Sequence, residues 1–396
     1  VILLLSCGPC ARVAAQESLV MGIEIRRHEP GKDIHDFMRV PHLVFAGDRA
    51  WIPPLDLMMK EQLSPGKNAF FAHADVALFT ARRDGKLVGR ISAHIDREHQ
   101  KRYQDSVGFF GYFDTVDDVE VARALLEAAR TWLRARGMQR MRGPLSFSMN
   151  EEVGLLVDGF DDPPMVLMGH AKPYQGQLAE ACGLAKAKDV YAWRYRVADL
   201  PPRARKAWDE IRAMPEVKLR VASRAQLETE LKQVLEIQDD AWRDNWGHVS
   251  FTPAELKAVV DALKLLIEPE LAILAEIDGR TAGMAIALPN LNEAISDLRG
   301  KLFPLGWAKL LYRLKVRRPK SARLCLLGIR KEYRGIKRYA GLSLALVAEI
   351  QMRGRKIGVE SGELSWTLED NAPVNLLIRS MRAELYKKYR VYEASI

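Results

Sequence analysis

The strongest constraint on the fold of this chain is that its pattern occurs twice. Four blocks of the first half recur in the second half in the same order and at nearly constant separation. The blocks lie at 23–26, 84–93, 145–148 and 190–191, and their counterparts lie at 217–220, 278–287, 364–367 and 391–392. Four matches in one order are typical of an internal duplication. The sequence therefore predicts two copies of one fold, at 22–200 and 201–396, with the boundary near Pro201-Pro202.

Each copy is predicted to contain the same strands and helices. Alternating apolar residues at 76–80 and 87–95, joined by Asp84-Gly85, predict a hairpin because Asp-Gly supplies the positive backbone angles of a tight turn. Apolar residues at helical spacing predict an amphipathic helix at 117–136. The second copy is expected to have a hairpin at 271–288, strands at 323–329, 363–368 and 389–392, and helices at 340–353 and 372–383. The expected class is α/β (α+β), with a mostly antiparallel central sheet flanked by helices in each unit.

Composition excludes several classes of protein. With 396 residues and 48% hydrophobic content, the chain can bury a full core, so disorder and collagen-like repeats are excluded. Four cysteines are too few for a secreted disulfide framework and indicate a reducing, cytoplasmic compartment. No apolar stretch reaches the roughly 18 residues of a membrane span, so any membrane contact should be peripheral, at the inner membrane. The net charge of +9 favours an anionic partner.

Residues 1–21 have no counterpart in the repeat. Their short apolar run is similar to the middle of a signal peptide, but no basic region precedes it. We expect this segment to be a non-structural extension, with Met21 as the natural start and ordered structure from Gly22 onward.

The segment 326–335, Leu-Leu-Gly-Ile-Arg-Lys-Glu-Tyr-Arg-Gly, resembles a strand and the pyrophosphate loop of a known family. The family is the GNAT superfamily of acyl-CoA N-acyltransferases in its tandem two-domain form, and the resemblance extends in outline over 22–396. It implies acyl-CoA as co-substrate, an amine as acceptor and no metal. In the family, a backbone N–H of the strand holds the thioester oxygen, and the loop and next helix N-terminus hold the pyrophosphate. The implied CoA-binding residues are Leu327, Gly328, Ile329, Arg334, Gly335, Lys337, Arg338, Gly341 and Ser343.

The charges at this helix start differ between the two copies. A helix N-terminus offers unpaired donors and partial positive charge, and the basic residues after position 333 add full charges there. The first copy has carboxylates at the same place, which would repel a pyrophosphate: Asp114, Asp117, Asp118 and Glu120. We therefore expect CoA to bind only the second copy, and the first to be a degenerate copy that walls the acceptor site. The alternative is an ordinary solvated helix start, since Lys337 and Tyr339 stand where the family has small residues.

Candidate acid and base residues follow a late strand of the second copy. Amide formation needs a neutral attacking amine and a proton for the departing thiolate. Glu369 and Asp370 are the predicted candidates for the base, and the alternative is that they cap the next helix. By resemblance to the family, Tyr386 or Tyr389 is the predicted acid, although the same stretch also fits an amphipathic edge strand. The residues expected to contact the acceptor are Asn150, Glu151, Trp366, Asn371 and Trp307.

The second copy contains a basic amphipathic insertion at 290–320. Seven basic residues occur from 301 to 320 without an acid: Lys301, Lys309, Arg313, Lys315, Arg317, Arg318 and Lys320. They alternate with leucines, Phe303 and Trp307, which is typical of a segment lying in an anionic membrane surface. RNA binding and packing over its own domain are the alternatives. The insertion points to a long-chain substrate and resembles a bacterial branch of the superfamily, the ceramide synthase-like N-acyltransferases, which join an acyl-CoA to a sphingoid amine.

The leading hypothesis is an acyl-CoA-dependent N-acyltransferase that acts on the primary amine of an amphiphilic acceptor, including a sphingoid base, at the membrane surface. One alternative is aminoacyl transfer from tRNA to a peptidoglycan precursor, and another is a non-catalytic CoA- or lipid-binding protein. Nucleic acid is not the expected partner. Nucleotide pyrophosphohydrolysis is disfavoured because no glycine-led helix carries the clustered glutamates that several Mg²⁺ ions need.

Overall fold

The computed structural model describes residues 17–20 and 22–396. The strands of the first half are β1 Glu17–Val20, β2 Ile23–His28, β3 Ala74–Arg83, β4 Lys86–Asp96, β5 Val107–Thr115, β6 Arg140–Gly143, β7 Leu145–Ser146, β8 Glu152–Val153, β9 Leu155–Asp158 and β10 Ala185–Arg196. Its helices are α1 His35–Val44, α2 Asp56–Gln62, α3 Arg97–Tyr103, α4 Val119–Arg134 and α5 Pro173–Ala181.

The second half repeats this order. Its strands are β11 Val217–Val221, β12 Ala272–Ile277, β13 Arg280–Pro289, β14 Ser321–Ile329, β15 Ser361–Leu368 and β16 Glu384–Ser395. Its helices are α6 Pro202–Arg212, α7 Leu227–Trp242, α8 Pro253–Leu266, α9 Leu291–Ile295, α10 Gly306–Tyr312, α11 Leu342–Lys356 and α12 Ala372–Ser380. The two predicted hairpins, β3–β4 and β12–β13, are confirmed, and Asp84 and Gly85 have the positive φ values of 50° and 73° that the first turn requires.

Ordered structure begins earlier than the sequence predicts. Strand β1 pairs antiparallel with β2, from Glu17 opposite Arg26 to Val20 opposite Ile23. The expectation that structure starts at Gly22 is therefore corrected for 17–20, while 1–16 and 21 lie outside the described residues.

The two halves share one 14-stranded sheet and exchange their last strands. The order is β1-β2-β3-β4-β5-β6-β16-β10-β15-β14-β13-β12-β11, and β9 also pairs with β16. Strand β10, at the end of the first half, pairs with β15, while β16, at the chain end, pairs with β6. The expected mostly antiparallel sheet is confirmed, since among the strand pairs of the described residues only β5–β6 and β14–β15 are parallel. The alternative of an edge strand at 386–390 is wrong, because β16 is central and Lys387 and Tyr389 are fully buried.

Helices cover both faces of β12 to β14. Side chains alternate along β12, so Ile273 and Ala275 pack with α6 and α11, whereas Ala272 and Leu274 pack with α7. Both faces are therefore apolar, as a strand covered on two sides requires.

His73 forms a polar contact that links the two halves through side chains and not through strand pairing. It lies 2.9 Å from Asp96 of β4 and 3.1 Å from Glu255 of α8. Burial alone would lower its pKa, but the hydrogen bonds with these two carboxylates raise the pKa of His73 to about 9. The charged imidazolium therefore links the two halves at neutral pH.

The parallel pair β14–β15 separates part of the way along. The strands pair only from Ser321 opposite Ser361 to Leu324 opposite Leu364, although both continue beyond these residues. The pairing of β14 with β13 shifts by one residue at the same level, so Cys325 is an extra, bulged residue. A bulge bends its strand and increases the local twist, which accounts for the divergence of β14 from β15.

Candidate functional site

A cleft of about 860 Å³ opens where β14 and β15 diverge. Helices α6, α7, α11 and α12 close its sides, and Leu327, Gly328 and Ile329 of β14 line its wall. Beyond Leu324, β14 has only β13 as a paired neighbour, so peptide groups on its other edge face the cleft. This edge can offer backbone donors to a thioester carbonyl, as the sequence predicts for these three residues.

The N-terminus of α11 points its unpaired donors into the same cleft. Gly341 is the cap residue, no side chain caps the helix, and Ser343 lies in the first turn at the cleft wall. A Cβ on Gly341 would lie 3.3 Å from the Cβ of Ala207, so glycine allows α6 to approach closely. This uncapped helix start can bind a phosphate group.

Three basic residues line the cleft near this helix start. Arg334 was predicted, and its guanidinium is held by the carbonyls of Ile329 at 2.7 Å and Asp240 at 3.0 Å. Arg203 and Lys206 of α6 were not predicted. The available signal was the run of basic residues directly after Pro201-Pro202, which was interpreted only as a boundary.

The remaining predicted loop residues lie outside the cleft lining. Gly335 has a φ of 78° and open space around its Cβ position, so its role in the structure is a turn. Lys337 is exposed, and exposed Arg338 pairs with Glu216 at 2.5 Å. The structure therefore places Lys337 and Arg338 just before α11 but, like Gly335, outside the cleft lining.

The two predicted base candidates are engaged in ion pairs. Glu369 accepts from Lys186 Nζ at 2.6 Å and from the Asp189 backbone N–H at 3.1 Å. Asp370 accepts from Lys188 Nζ at 2.8 Å, and this hydrogen bond lowers its pKa. Neither lines the cleft, so the structure does not bring them to the thioester position.

The two predicted acids lie in β16, beside the cleft rather than in its lining. Tyr389 is fully buried, and its hydroxyl has no hydrogen-bond partner in the part of the chain that the structure describes. Tyr386 donates its hydroxyl hydrogen bond to Glu363. Burial raises the pKa of both phenols.

Tyr386 belongs to a buried cluster that reaches the cleft, formed by Arg323, Glu363, Ser365 and Tyr386. We call it the central polar cluster. Arg323 Nε donates to Ser365 Oγ at 2.7 Å, and the Ser365 hydroxyl donates to Glu363. Among these four residues, Ser365 lines the cleft. Sequence reasoning missed Arg323, Glu363 and Ser365, although the charged residues inside two core strands were a usable signal.

The predicted acceptor residues are separated in the structure. Trp366 and Asn371 line the cleft; the Trp366 ring centroid lies 6.4 Å from that of Trp242, and Asn371 caps α12. Asn150 donates to the Val249 carbonyl at 3.3 Å and so links the halves. Trp307 lies in α10, outside the cleft lining.

Glu151, the fifth predicted acceptor residue, is held within its own loop. Its carboxylate accepts from the Phe147 backbone N–H and from Gln62 Nε2, both at 2.9 Å. Burial raises its pKa to about 7.

The corresponding gap of the first half is filled by its own chain. Strands β5 and β6 also separate beyond Phe109 opposite Arg142. A Cβ on Gly111 would lie 1.9 Å from the Leu145 carbonyl, so β7 occupies the space. At the start of α4, Asp118 accepts from the backbone N–H groups of Glu120 and Val121. This helix start is already capped by a carboxylate and is unsuited to a phosphate.

The duplicated fold and the diverging strands that form the cleft are those of the tandem GNAT fold. The chain is similar to a tandem GNAT protein from the clavulanic acid biosynthesis pathway, with a TM-score of 0.57 and 13% identity, over 94% of this chain and 98% of that one. It is also similar to a GCN5-related N-acetyltransferase from Sphaerobacter thermophilus, with a TM-score of 0.52 and 12% identity, over 96% and 97% of the chains. At these identities the likeness shows the fold.

Sequence relatives define the family more narrowly. The chain is 41% identical to the bacterial ceramide synthase of Caulobacter vibrioides, over 92% of this chain and 95% of that protein. It is 38% identical to protein YghO of Escherichia coli K12, over 92% and 93%. No family model matches the chain. The chain therefore belongs to the family of bacterial ceramide synthase and YghO, and it is an N-acyltransferase with the GNAT fold.

In the described residues, no helix is both long and apolar enough to cross a membrane.

Proposed function

We propose that this protein transfers an acyl group from acyl-CoA to the primary amine of an amphiphilic acceptor at an anionic membrane surface. The observation that carries the proposal is an exposed, basic and apolar surface on the insertion that adjoins the acyltransferase half. The name of the Caulobacter relative, bacterial ceramide synthase, supports a sphingoid base as the acceptor.

Acyl-CoA would bind in the cleft between β14 and β15. The pyrophosphate would meet the N-terminus of α11, where Arg203, Lys206 and Arg334 add positive charge. The thioester would lie at the free edge of β14, near Ser365 and Trp366. The first half would bind no CoA, because its equivalent gap is filled and its helix start is capped by Asp118.

The reaction forms one C–N bond and breaks one C–S bond. The ammonium form of the acceptor first loses a proton, and the neutral nitrogen then attacks the thioester carbonyl carbon. The sulfur leaves with the electron pair and takes up a proton, so the products are the amide, the CoA thiol and one net proton. Tyr386 stays the predicted acid, acting through Glu363 and the Ser365 hydroxyl at the cleft wall.

The insertion exposes apolar side chains on its outer side. Leu302, Leu310 and Leu314 pack inward against the core of the second half. The outward residues are largely exposed, including Phe303 at 83% and Val316 at 67%, and they share one segment: Phe303, Leu305, Trp307, Leu311, Tyr312 and Val316. A helix already packed on one side has no need of these side chains for its own fold. They suit the boundary region of a bilayer.

Basic residues surround this apolar surface. Lys301, Lys315, Arg317 and Arg318 are exposed, whereas Lys309 and Arg313 pair with Asp297 of the preceding turn. The sequence count of seven basic residues therefore overstates the free charge. Lys320 pairs with Glu360 at 2.7 Å, so each of the four remaining residues would contribute about 1 kcal/mol next to an anionic surface.

The direct test is amide formation by the purified protein. Sphinganine and a long-chain acyl-CoA are mixed with the protein, and the N-acyl product and free thiol are followed by mass spectrometry and thiol titration. One amide should form for each thiol released. Thiol release without amide, or transfer that requires aminoacyl-tRNA, would overturn the proposal.

A further inference from the structure

The first half contains a second cavity, of about 150 Å³, that the acyl-CoA cleft does not include. We call it the chamber. It lies between α1, the loop before α2, β5 and the loops on either side of β8 and after β9. Polar groups on its wall come from Tyr112, Ser146, Glu152, His170 and Asn292. The chamber is therefore a small space lined mainly by residues of the first half, with Asn292 of the second half also on its wall.

Glu152 is the unpaired charge of the chamber. Its side chain is exposed to solvent and also lines the chamber, and in the described residues its carboxylate has no hydrogen bond or ion pair. The other charged groups on the wall are matched, since Asp114 pairs with Arg90 at 2.7 Å and His170 with Asp48 at 3.1 Å. A cationic ligand that entered the chamber would find this carboxylate free to pair with it.

Tyr112 is a second group without a partner. It lines the chamber, its side chain is only 7% exposed, and its hydroxyl has no hydrogen-bond partner within 17–20 and 22–396. A buried hydroxyl normally has a partner, because leaving it unpaired costs free energy. A ligand with a hydroxyl or amine group would supply the missing partner.

The size of the chamber restricts what it can hold. Its volume of about 150 Å³ is much smaller than the 860 Å³ of the cleft, so the chamber suits a small polar head group rather than acyl-CoA. An amine with a neighbouring hydroxyl would match the two unpaired groups.

The chamber lies between the cleft and the insertion. Arg323 spans the wall on the cleft side: it donates to the carbonyl of Leu167, which lines the chamber, and to Ser365, which lines the cleft. On the other side, Ile52 lines the chamber and packs in the same cluster as Leu302 of the insertion. Arg323 is therefore the side chain that separates a head group in the chamber from the cleft.

We propose that the chamber binds the amine end of the amphiphilic acceptor, with Glu152 pairing with its ammonium group and Tyr112 with a neighbouring hydroxyl. This assignment rests on the proposed function, and it gives the degenerate half a role in acceptor recognition. The amine would leave the ion pair when it transfers its proton to the Glu152 carboxylate, and the neutral amine would then move to the thioester.

The test uses Glu152→Gln, which keeps the side-chain size and removes the charge. Sphinganine in detergent micelles is the acceptor, and N-acetylsphinganine is the uncharged comparison ligand. Glu152→Gln should raise the KM for sphinganine about tenfold or more, the loss of one charge-assisted contact, and leave the dissociation constant for CoA within about twofold. Tyr112→Phe should raise the same KM by about two- to fivefold. The matched control is Glu384→Gln, an exposed carboxylate on β16, which should change neither constant.

The binding of sphinganine and N-acetylsphinganine, measured by calorimetry, separates the two proposals. Wild-type protein should bind sphinganine more tightly, and Glu152→Gln should abolish that preference. An unchanged KM and preference in both variants, with unfolding temperatures equal to wild type, overturns the chamber assignment while the acyltransferase proposal stands. If the wild type forms no amide, the proposed function fails, and the calorimetric preference alone then decides whether the chamber is an amine site.

Discussion

Placing a carboxylate in the first turn of α11 should abolish CoA binding without harming the fold. Ser343 lines the cleft at an uncapped helix start, and the first half shows the natural equivalent, where Asp118 caps α4. Ser343→Glu reproduces that charge in the second half. A negative side chain in the first turn stabilises a helix by about 0.3–1 kcal/mol, so the unfolding temperature should stay the same or rise.

The expected loss of affinity follows from the position of Ser343. A carboxylate about 5 Å from a pyrophosphate meets roughly two negative charges. With an effective dielectric constant between about 40 and 80 for this half-buried wall, the repulsion is about 2–3 kcal/mol. The dissociation constant for CoA should therefore rise about 30- to 150-fold, and the effect should shrink as salt is added.

Ser343→Gln is the matched control, because glutamine has the size of glutamate without its charge. Calorimetry with CoA and thermal unfolding are measured for both variants. Equal losses in the two variants would show that bulk, and not charge, causes the effect. An unchanged affinity of Ser343→Glu with the fold intact would refute the placement of the pyrophosphate at α11.

Three further predictions concern charges that the tertiary structure brings into position. Arg203→Ala with Lys206→Ala should weaken CoA binding by about 1–3 kcal/mol in calorimetry and leave the melting temperature unchanged; an unaltered affinity would remove α6 from the site. A variant with glutamine at Lys315, Arg317 and Arg318 should lose about 3 kcal/mol of binding free energy to anionic vesicles at low salt and keep its CoA affinity. Co-sedimentation with the vesicles equal to that of wild type would contradict the membrane proposal. Because its pKa is raised, His73 stabilises the fold fully below pH 6.5, and this contribution is lost as the pH rises through about 9. His73→Gln should therefore flatten this part of the plot of unfolding free energy against pH. A slope identical to that of wild type would contradict the ion-pair role of His73.

Local patterns in the sequence were sufficient to predict the main strands and helices and the start of α11. The hairpins β3–β4 and β12–β13 follow from strand alternation and an Asp-Gly turn. The repeat predicted two related units, and the segment 326–335 led to the strand that lines the cleft. These features depend on residues that are neighbours along the chain, so periodicity and turn chemistry are enough to predict them.

The exchange of last strands could not be predicted in this way. The Tyr-Lys-Lys-Tyr-Arg pattern of β16 has the polarity of an edge strand, yet β16 lies between β6 and β10, with Lys387 fully buried. Lys387 donates to the carbonyl of Asp162 at 2.5 Å, and burial lowers its pKa to about 8. Which strand lies beside which depends on pairing energies between segments far apart in sequence, and these leave no local signal.

The predicted site differs from the observed one for the same reason, since contacts between distant segments leave no local signal in the sequence. By itself, the sequence predicted a duplicated N-acyltransferase fold and a candidate CoA-binding strand and helix in its second half. Only the tertiary structure decided that α6 brings Arg203 and Lys206 to the cleft, that Glu369 is paired with Lys186, and that Glu152 lies unpaired in a chamber of the other half. The charge available at a site is the sum over all nearby groups, and a fold brings those groups together from positions hundreds of residues apart.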